Sequence, residues 1–283
     1  MQCRSLCYST DLAILELGGS SIERRSNHWK ISSPHVPTYY WGNFLLVDSL
    51  DGDDAAHVWH EQFARDFPQA HHFALGLDGP GQDLSTLRGF HELGADVAAM
   101  TVLSCSPLDL IEGGSDAEVL RAFGHQNDWT QALELGVLTR GDGFSEGPYR
   151  AFFSNYLDMQ RSIVERDRGS WWGAFVDGRL VSQAGIIDCG DGLARYQMVS
   201  THPEFRRRGL AGRVVAAAGR ASAEIFQSQT LVIVADPDYH AISIYRDLGF
   251  VATERQVSIE RVASSDQPES SSLATERSIP QDG

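Results

Sequence analysis

The residue types and spacings best suited to chemistry lie in one stretch, STHPEFRRRGLAGRVV, residues 200–215. Arg206, Arg207 and Arg208 stand in a row. Gly209 follows, then Leu210, Ala211 and Gly212, and the sequence turns apolar at Val214 and Val215. A strand-like run, LARYQMVST, precedes it, and apolar residues at helical spacing follow. The stretch therefore reads as a strand, a turn and a helix start. Backbone N–H groups in the first turn of a helix have no intrahelical acceptor. They point out of the helix end, where the dipole adds positive potential. Gly209 and Gly212 have no side chain to hold an anion away from that backbone, and the arginines add charge at the rim. The formal net charge of the chain is -15, so composition does not account for three adjacent arginines. The chemistry predicted here is the holding of a phosphate-like anion.

Two common phosphate fingerprints are missing. No Gly-Lys-Ser/Thr follows the glycines, and G-x-G-x-x-G is not matched. The pattern present is Arg-x-x-Gly-x-Ala, as Arg206, Arg207, Arg208, Gly209, Leu210 and Ala211. It follows VSTHPEF and precedes DYHAISIYRDLGF, residues 238–250. Together these resemble the pyrophosphate loop, the preceding strand and the Ala-x-x-x-Tyr-x-x-x-Gly-Phe helix of the GNAT superfamily of N-acetyltransferases. The resemblance covers about the second half of the chain and only faintly the first. It implies acetyl-CoA as co-substrate, no metal, and transfer of an acetyl group to a primary amine of a small molecule or protein. It also implies roles. Val199, Ser200 and Thr201 would pair with the pantetheine arm, and Arg206 to Gly212 would wrap the pyrophosphate. Tyr245 would sit near the thioester sulfur, where a phenol can protonate the leaving thiolate. A strand N–H would hold the oxyanion. Tyr245 also shares the apolar face of its helix, so a core role competes with the acid role. No general base stands out; His202, Asp188, Glu146 or a water relay are the candidates. A non-catalytic acyl-CoA sensor or scaffold is the alternative.

The elements that must position these residues are legible in the second half. GPYRAFFSNYLDMQRSIVERDRG has Phe152, Tyr156, Met159 and Ile163 at helical spacing. WWGAFVDGRLVSQAGII is a hairpin about Asp177-Gly178. LARYQMVST is the next strand, followed by a helix with Leu210, Val214, Ala217, Ala221 and Ile225 on one face. TLVIVAD is a buried strand, DYHAISIYRDLGF a helix capped by Asp238 and ended by Gly249, and VATERQVSIERV a last strand. Upstream, EVLRAF is a strand and NDWTQALEL opens a helix, with Asn127 or Asp128 as cap. The fold class is α/β, a GNAT-like mixed central sheet flanked by helices.

The first half repeats part of this order. NFLLV, AAHVWHEQFARDF, HHFALGL, LSTLRGFHELG and ADVAAMTVL read as strand, helix, strand, helix, strand. This predicts a second, degenerate GNAT-like domain. Where its anion loop would fall stand Asp48, Asp51, Asp53 and Asp54, which would repel a pyrophosphate. The expected division is 1–113, 114–262 and a disordered tail, 263–283, rich in Ser, Pro and charge. Tyr39, Tyr40, Trp41 and Phe44 either line a cleft or pack as core aromatics.

The strong acidity disfavours nucleic acid and anionic membrane as partners. Cys3, Cys7, Cys105 and Cys189 lack zinc spacing, and His57, His60, His71 and His72 read as ordinary histidines, so no metal is expected. Reduced thiols and the lack of a signal-like or membrane-length apolar run predict a cytoplasmic protein.

Overall fold

The computed structural model describes residues 3–34, 36, 37, 39–79, 87–111, 119–141, 143–239 and 241–262. The expected tail, 263–283, lies outside them. In chain order the elements begin α1 (Leu6–Leu17), β1 (Ser21–Arg24), β2 (His28–Ser32), β3 (Phe44–Val47), α2 (Ala55–Asp66), β4 (His72–Leu77), α3 (Arg88–Glu92) and β5 (Asp96–Cys105). They continue β6 (Val119–Ala122), α4 (Gln126–Leu138), α5 (Glu146–Val164), β7 (Gly169–Val176), β8 (Arg179–Gly190) and β9 (Leu193–Thr201). The last are α6 (Leu210–Phe226), β10 (Thr230–Ala235), α7 (Ala241–Asp247) and β11 (Val251–Val262).

The chain forms two compact units. One runs up to Val102 and takes the chain back from Glu254; the other is Leu103–Thr253. This differs from the division read in the sequence. The break falls at Val102 rather than near 113, and most of β11 belongs with the first half. The reason is pairing: Val257 lies opposite Leu77 and Val262 opposite His72 in an antiparallel ladder with β4. A strand's own residues say that it is a strand, not which neighbour it takes.

The first unit has the strand order β1-β2-β3-β4-β11-β5. Its core joins Leu45, Leu46, Phe73, Leu75, Leu77, Phe90, Val257 and Ile259. Tyr40, Trp41 and Phe44 are buried here as core aromatics. Helix α1 was not apparent in the sequence. Its buried residues Cys7, Tyr8, Thr10, Leu12, Ile14 and Leu15 cover more than half of its circumference and include a threonine, so no narrow apolar stripe marks a period. Tyr8 presses on β4 where Gly76 leaves room; a Cβ there would lie 2.6 Å from the phenol.

The second unit has the order β10-β9-β8-β7-β6, with residues 103–105 of β5 at the β10 edge. The Asp177-Gly178 hairpin forms as read, with φ of 51° and 79°, the left-handed pair of a type I′ turn. Helix α6 presents Leu210, Val214, Val215, Ala218 and Ala221 to the sheet, while Ile225, expected on that face, is 59% exposed. Its small residues allow a close approach: Tyr196 on β9 donates to the Val215 carbonyl at 2.8 Å, and a Cβ at Gly219 would meet that hydroxyl at 2.3 Å. On α5 the buried phenylalanine is Phe153 rather than Phe152. It fills the space over Gly136 of α4.

Asp128, expected as a cap of α4, acts three residues into the helix instead. Its carboxylate accepts the N–H groups of Gly124 (2.9 Å) and His125 (3.1 Å) and pairs with Arg121 (2.8 Å). The guanidinium and the two N–H donors hold its carboxyl well below the usual carboxylate range.

Candidate active site

The site is built where β9 and β10 stop being neighbours. Their parallel pairing runs from Thr230 opposite Leu193 to Val232 opposite Arg195. Beyond those rungs β9 continues to Thr201 and β10 to Ala235 with no further pairing to each other among the described residues. The strands therefore part toward their C-terminal ends, where ligands of open α/β sheets bind.

Strand β9 is irregular at this point. Gln183 of β8 faces Ser200, but Gly185 faces Gln197, so Ala184 opposes two residues, Met198 and Val199. This is a β-bulge. Met198 sits in the left-handed region with φ of 52°. Such a conformation costs a non-glycine residue about 1–3 kcal/mol. The bulge places Gln197 and Ser200 on the same side of the sheet although they are three apart. Both are held there. Tyr156 donates to Gln197 Oε1 at 2.6 Å. Trp171 Nε1 donates to Gln183 Oε1 at 3.1 Å, and Gln183 Nε2 donates to Ser200 Oγ at 3.1 Å. Met198 was missed in the sequence, because left-handed backbone is signalled there by glycine or asparagine, not by methionine.

Of the residues expected to line the donor arm, Thr201 meets Ser182 through its hydroxyl and Ser200 through its backbone carbonyl. Ser182 Oγ lies 3.1 Å from the Ser200 carbonyl and 2.8 Å from Thr201 Oγ1. Val199 is half-buried in the bulge. Beyond Thr201 the chain makes a turn at Pro203–Phe205 and then the arginine run. Arg207 and Gly209 both have positive φ, 60° and 74°. Alternation of this kind turns successive N–H groups toward one point, an anion-binding concavity. Gly209 is the N-cap of α6 and supplies no side-chain cap. The first helical bond recorded at this end is from Arg213 N–H to the Gly209 carbonyl, at 3.1 Å. The N–H groups of Leu210, Ala211 and Gly212 are thus the first-turn donors that lack helical acceptors.

The side chains of the turn differ in burial. Leu210 is a core residue, 1% exposed. Gly212 is buried, and a Cβ on it would make ordinary contacts, 3.6–3.7 Å, with Leu248 and Ile244. The packing of α6 on α7 therefore does not require a glycine here. Arg206 is half-buried, its Nε 3.4 Å from the Thr201 carbonyl; Arg207 and Arg208 are exposed.

Tyr245, on α7, is 1% exposed. Its ring packs edge-on to Phe250, with centroids 6.3 Å apart, in a core with Leu248 and Val214. The three base candidates are engaged elsewhere. Asp188 pairs with Arg168 at 3.0 Å and accepts the Gly190 N–H at 2.9 Å. Glu146 pairs with Arg150 at 3.3 Å. His202 is buried beside Arg179, and burial first, then that guanidinium, push its pKa down.

The first unit repeats the strand-helix-strand core but not the opening. Leu45–Val47 pair with Leu75–Leu77, and the Asp78 N–H extends the ladder to the Val47 carbonyl at 2.8 Å. The strands stay closed. Asp48 is taken by Arg24 at 2.6 Å. Asp78 accepts the N–H groups of Arg4 and Ser5, both at 2.9 Å or less. Of the histidines, His60 accepts from Arg261 at 2.6 Å and His72 contacts the Asn43 carbonyl at 2.9 Å. No group of three His, Cys, Asp or Glu among the described residues could hold a metal ion. No helix among them is long and apolar enough to cross a membrane.

Residues 175–259, which hold the bulge, the 206–212 turn and α7, match the family model described as FR47-like protein. No curated protein matches the chain. A functionally unknown conserved protein from Staphylococcus epidermidis superposes with a TM-score of 0.71 at 16% identity, covering 85% of this chain and 93% of that one. A GCN5-related N-acetyltransferase from Kribbella flavida gives 0.65 at 16% identity, covering 93% and 100%. A tandem GNAT protein from the clavulanic acid biosynthesis pathway gives 0.55 at 16% identity, covering 89% and 88%. The fold is therefore that of the GCN5-related N-acetyltransferases. The likeness extends over both halves, as in a tandem arrangement of that fold.

Proposed function

We propose that the second unit binds acetyl-CoA at the 206–212 turn and transfers the acetyl group to a primary amine of a small molecule or protein. The observation that supports this most is a coincidence on one strand pair. The parting of β9 from β10, the bulge at Met198 and the unpaired N–H groups of α6 succeed one another along β9 and the turn after it. In this reading the diphosphate sits on those N–H groups between the arginines. The pantetheine arm enters the gap and pairs with the backbone around Val199. The acyl carbonyl then meets an N–H of the bulge, which holds the oxyanion.

The neutral amine attacks the thioester carbon, and the C=O pair moves to oxygen. Collapse re-forms the carbonyl and breaks the C–S bond. The thiolate takes a proton from Tyr245, and the proton shed by nitrogen returns to the phenol through water. The products are an amide and the free thiol. The cytoplasm, where thiols stay reduced, is the compartment this reading assigns.

The burial of Tyr245 and the ion pairs of Asp188 and Glu146 favour a second reading, an acyl-CoA sensor. Thiol release from acetyl-CoA, followed across a panel of amines, separates the two. Binding without release for any amine leaves the sensor. Gly209→Glu, which places a carboxylate on a backbone at φ of 74°, is expected to abolish binding in calorimetry. A variant binding as tightly as wild type would remove the turn from both readings.

A further inference from the structure

Gln183 of β8 is polar and fully buried, and no step of the acetyl transfer touches it. Its neighbours fix which way its amide points. Trp171 Nε1 can only donate, and it lies 3.1 Å from Oε1. The Ala132 carbonyl of α4 can only accept, and it lies 3.4 Å from Nε2. The other N–H of Nε2 donates to Ser200 Oγ at 3.1 Å. Three elements, β7, α4 and β9, therefore meet in one side chain.

Each of those neighbours is itself fixed. Trp171 is buried and seated over Gly185, where a Cβ would collide with the indole. Helix α4 is clipped to the β7–β8 hairpin, because Gln131 Oε1 accepts the Leu180 N–H at 2.8 Å. The Ser200 carbonyl accepts from Ser182 Oγ at 3.1 Å. The chain Trp171–Gln183–Ser200 thus runs from a rigid wall to the residue two places past Met198.

Met198 needs such support. A methionine at φ of 52° persists only where its surroundings over-determine it. If β9 relaxed to a regular strand, either Gln197 or Ser200 would turn to the other face of the sheet. Tyr156 resists this from the Gln197 side and Gln183 from the Ser200 side. Both ends of the bulge are pinned by side chains from other elements.

We propose that Gln183 is a positioning residue for acetyl transfer. By holding Ser200 against Trp171 and α4 it keeps the Met198 bulge formed, and with it the backbone N–H that receives the acyl oxygen. It touches neither substrate. This rests on the acetyl-transfer reading above.

Gln183→Met and Ser200→Ala are made in the full chain, each also combined with Met198→Gly. Each single variant is expected to lower kcat by about 5- to 150-fold, the population ratio set by strain at one such residue. KM for acetyl-CoA holds, because the 206–212 turn is untouched. Met198→Gly restores most of the lost kcat, since glycine takes positive φ without strain and no longer needs the support. Should melts show that Gln183→Met does not fold, Ser200→Ala, a smaller change, carries the test. Unchanged kcat in the folded variants overturns the positioning role. So does a rise in KM with kcat held, or a loss of kcat that Met198→Gly does not restore, as a merely structural residue would give. If wild type releases no thiol with any amine, the acetyl-transfer reading fails and the positioning role falls with it.

Discussion

Tyr245 is the residue at which the enzyme and sensor readings part. A phenol that protonates a leaving thiolate acts in the transition state, so its loss lowers the rate and spares binding. Tyr245→Phe keeps the ring that packs on Phe250. The expected outcome is a fall in turnover of about 10²–10⁴-fold with acetyl-CoA affinity unchanged. An unchanged rate, with chemistry shown to be limiting, would leave Tyr245 a core residue. Asp128 offers a test of stability. Its folded carboxyl is depressed by Arg121 and two N–H donors, so it stabilises the fold above the unfolded value, near 4. That stability is lost as pH falls through the folded value. Asp128→Asn is expected to cost about 1–3 kcal/mol at neutral pH. Urea titrations of variant and wild type should converge as pH falls below about 4; a constant difference down to pH 2 would refute the assignment.

The element that matters most is β9, because one irregularity in it arranges the site. The bulge is the reason Gln197 and Ser200 share a side, each with its own partner. A β-branched residue at position 198 tolerates φ of 52° poorly. Met198→Ile is therefore expected to destabilise by about 1–2 kcal/mol. Regularising the strand would turn one of the two glutamine contacts to the wrong side. Thermal melts and acetyl transfer should fall together; a variant with wild-type melting and rate would show that the bulge carries neither. The same element sets the contrast with the first unit, whose β3 and β4 stay paired to the Asp78 N–H.

For the whole molecule, the decisive feature is the return of residues 254–262 to the first unit. They bring Val257 and Ile259 into its core, accept the Tyr8 hydroxyl on the Val257 carbonyl at 2.7 Å, and bind Trp41 through Glu260 at 2.9 Å. Burying two such side chains contributes about 3–6 kcal/mol, a large share of ordinary domain stability. A chain truncated after Thr253 is therefore expected to lose hydrogen-exchange protection at Leu75 and Leu77. Full protection there would mean that the first unit does not need the strand.

The sequence by itself determined the elements of the second half, the glycine-bearing turn at the start of α6 and the repeated order in the first half. These are local: a type I′ dipeptide, a helical apolar face, a run of arginines and glycine at a helix start all write their conformation into adjacent residues. It left undetermined whatever depends on a partner far along the chain. Helix α1 hid its period because its buried arc is wide and includes Thr10. Met198 carried no mark of its left-handed backbone, which is imposed by the pairing of β8 with β9. The destination of β11 was decided only by the tertiary structure, because a ladder's stability belongs to two strands at once and either one alone is compatible with many partners.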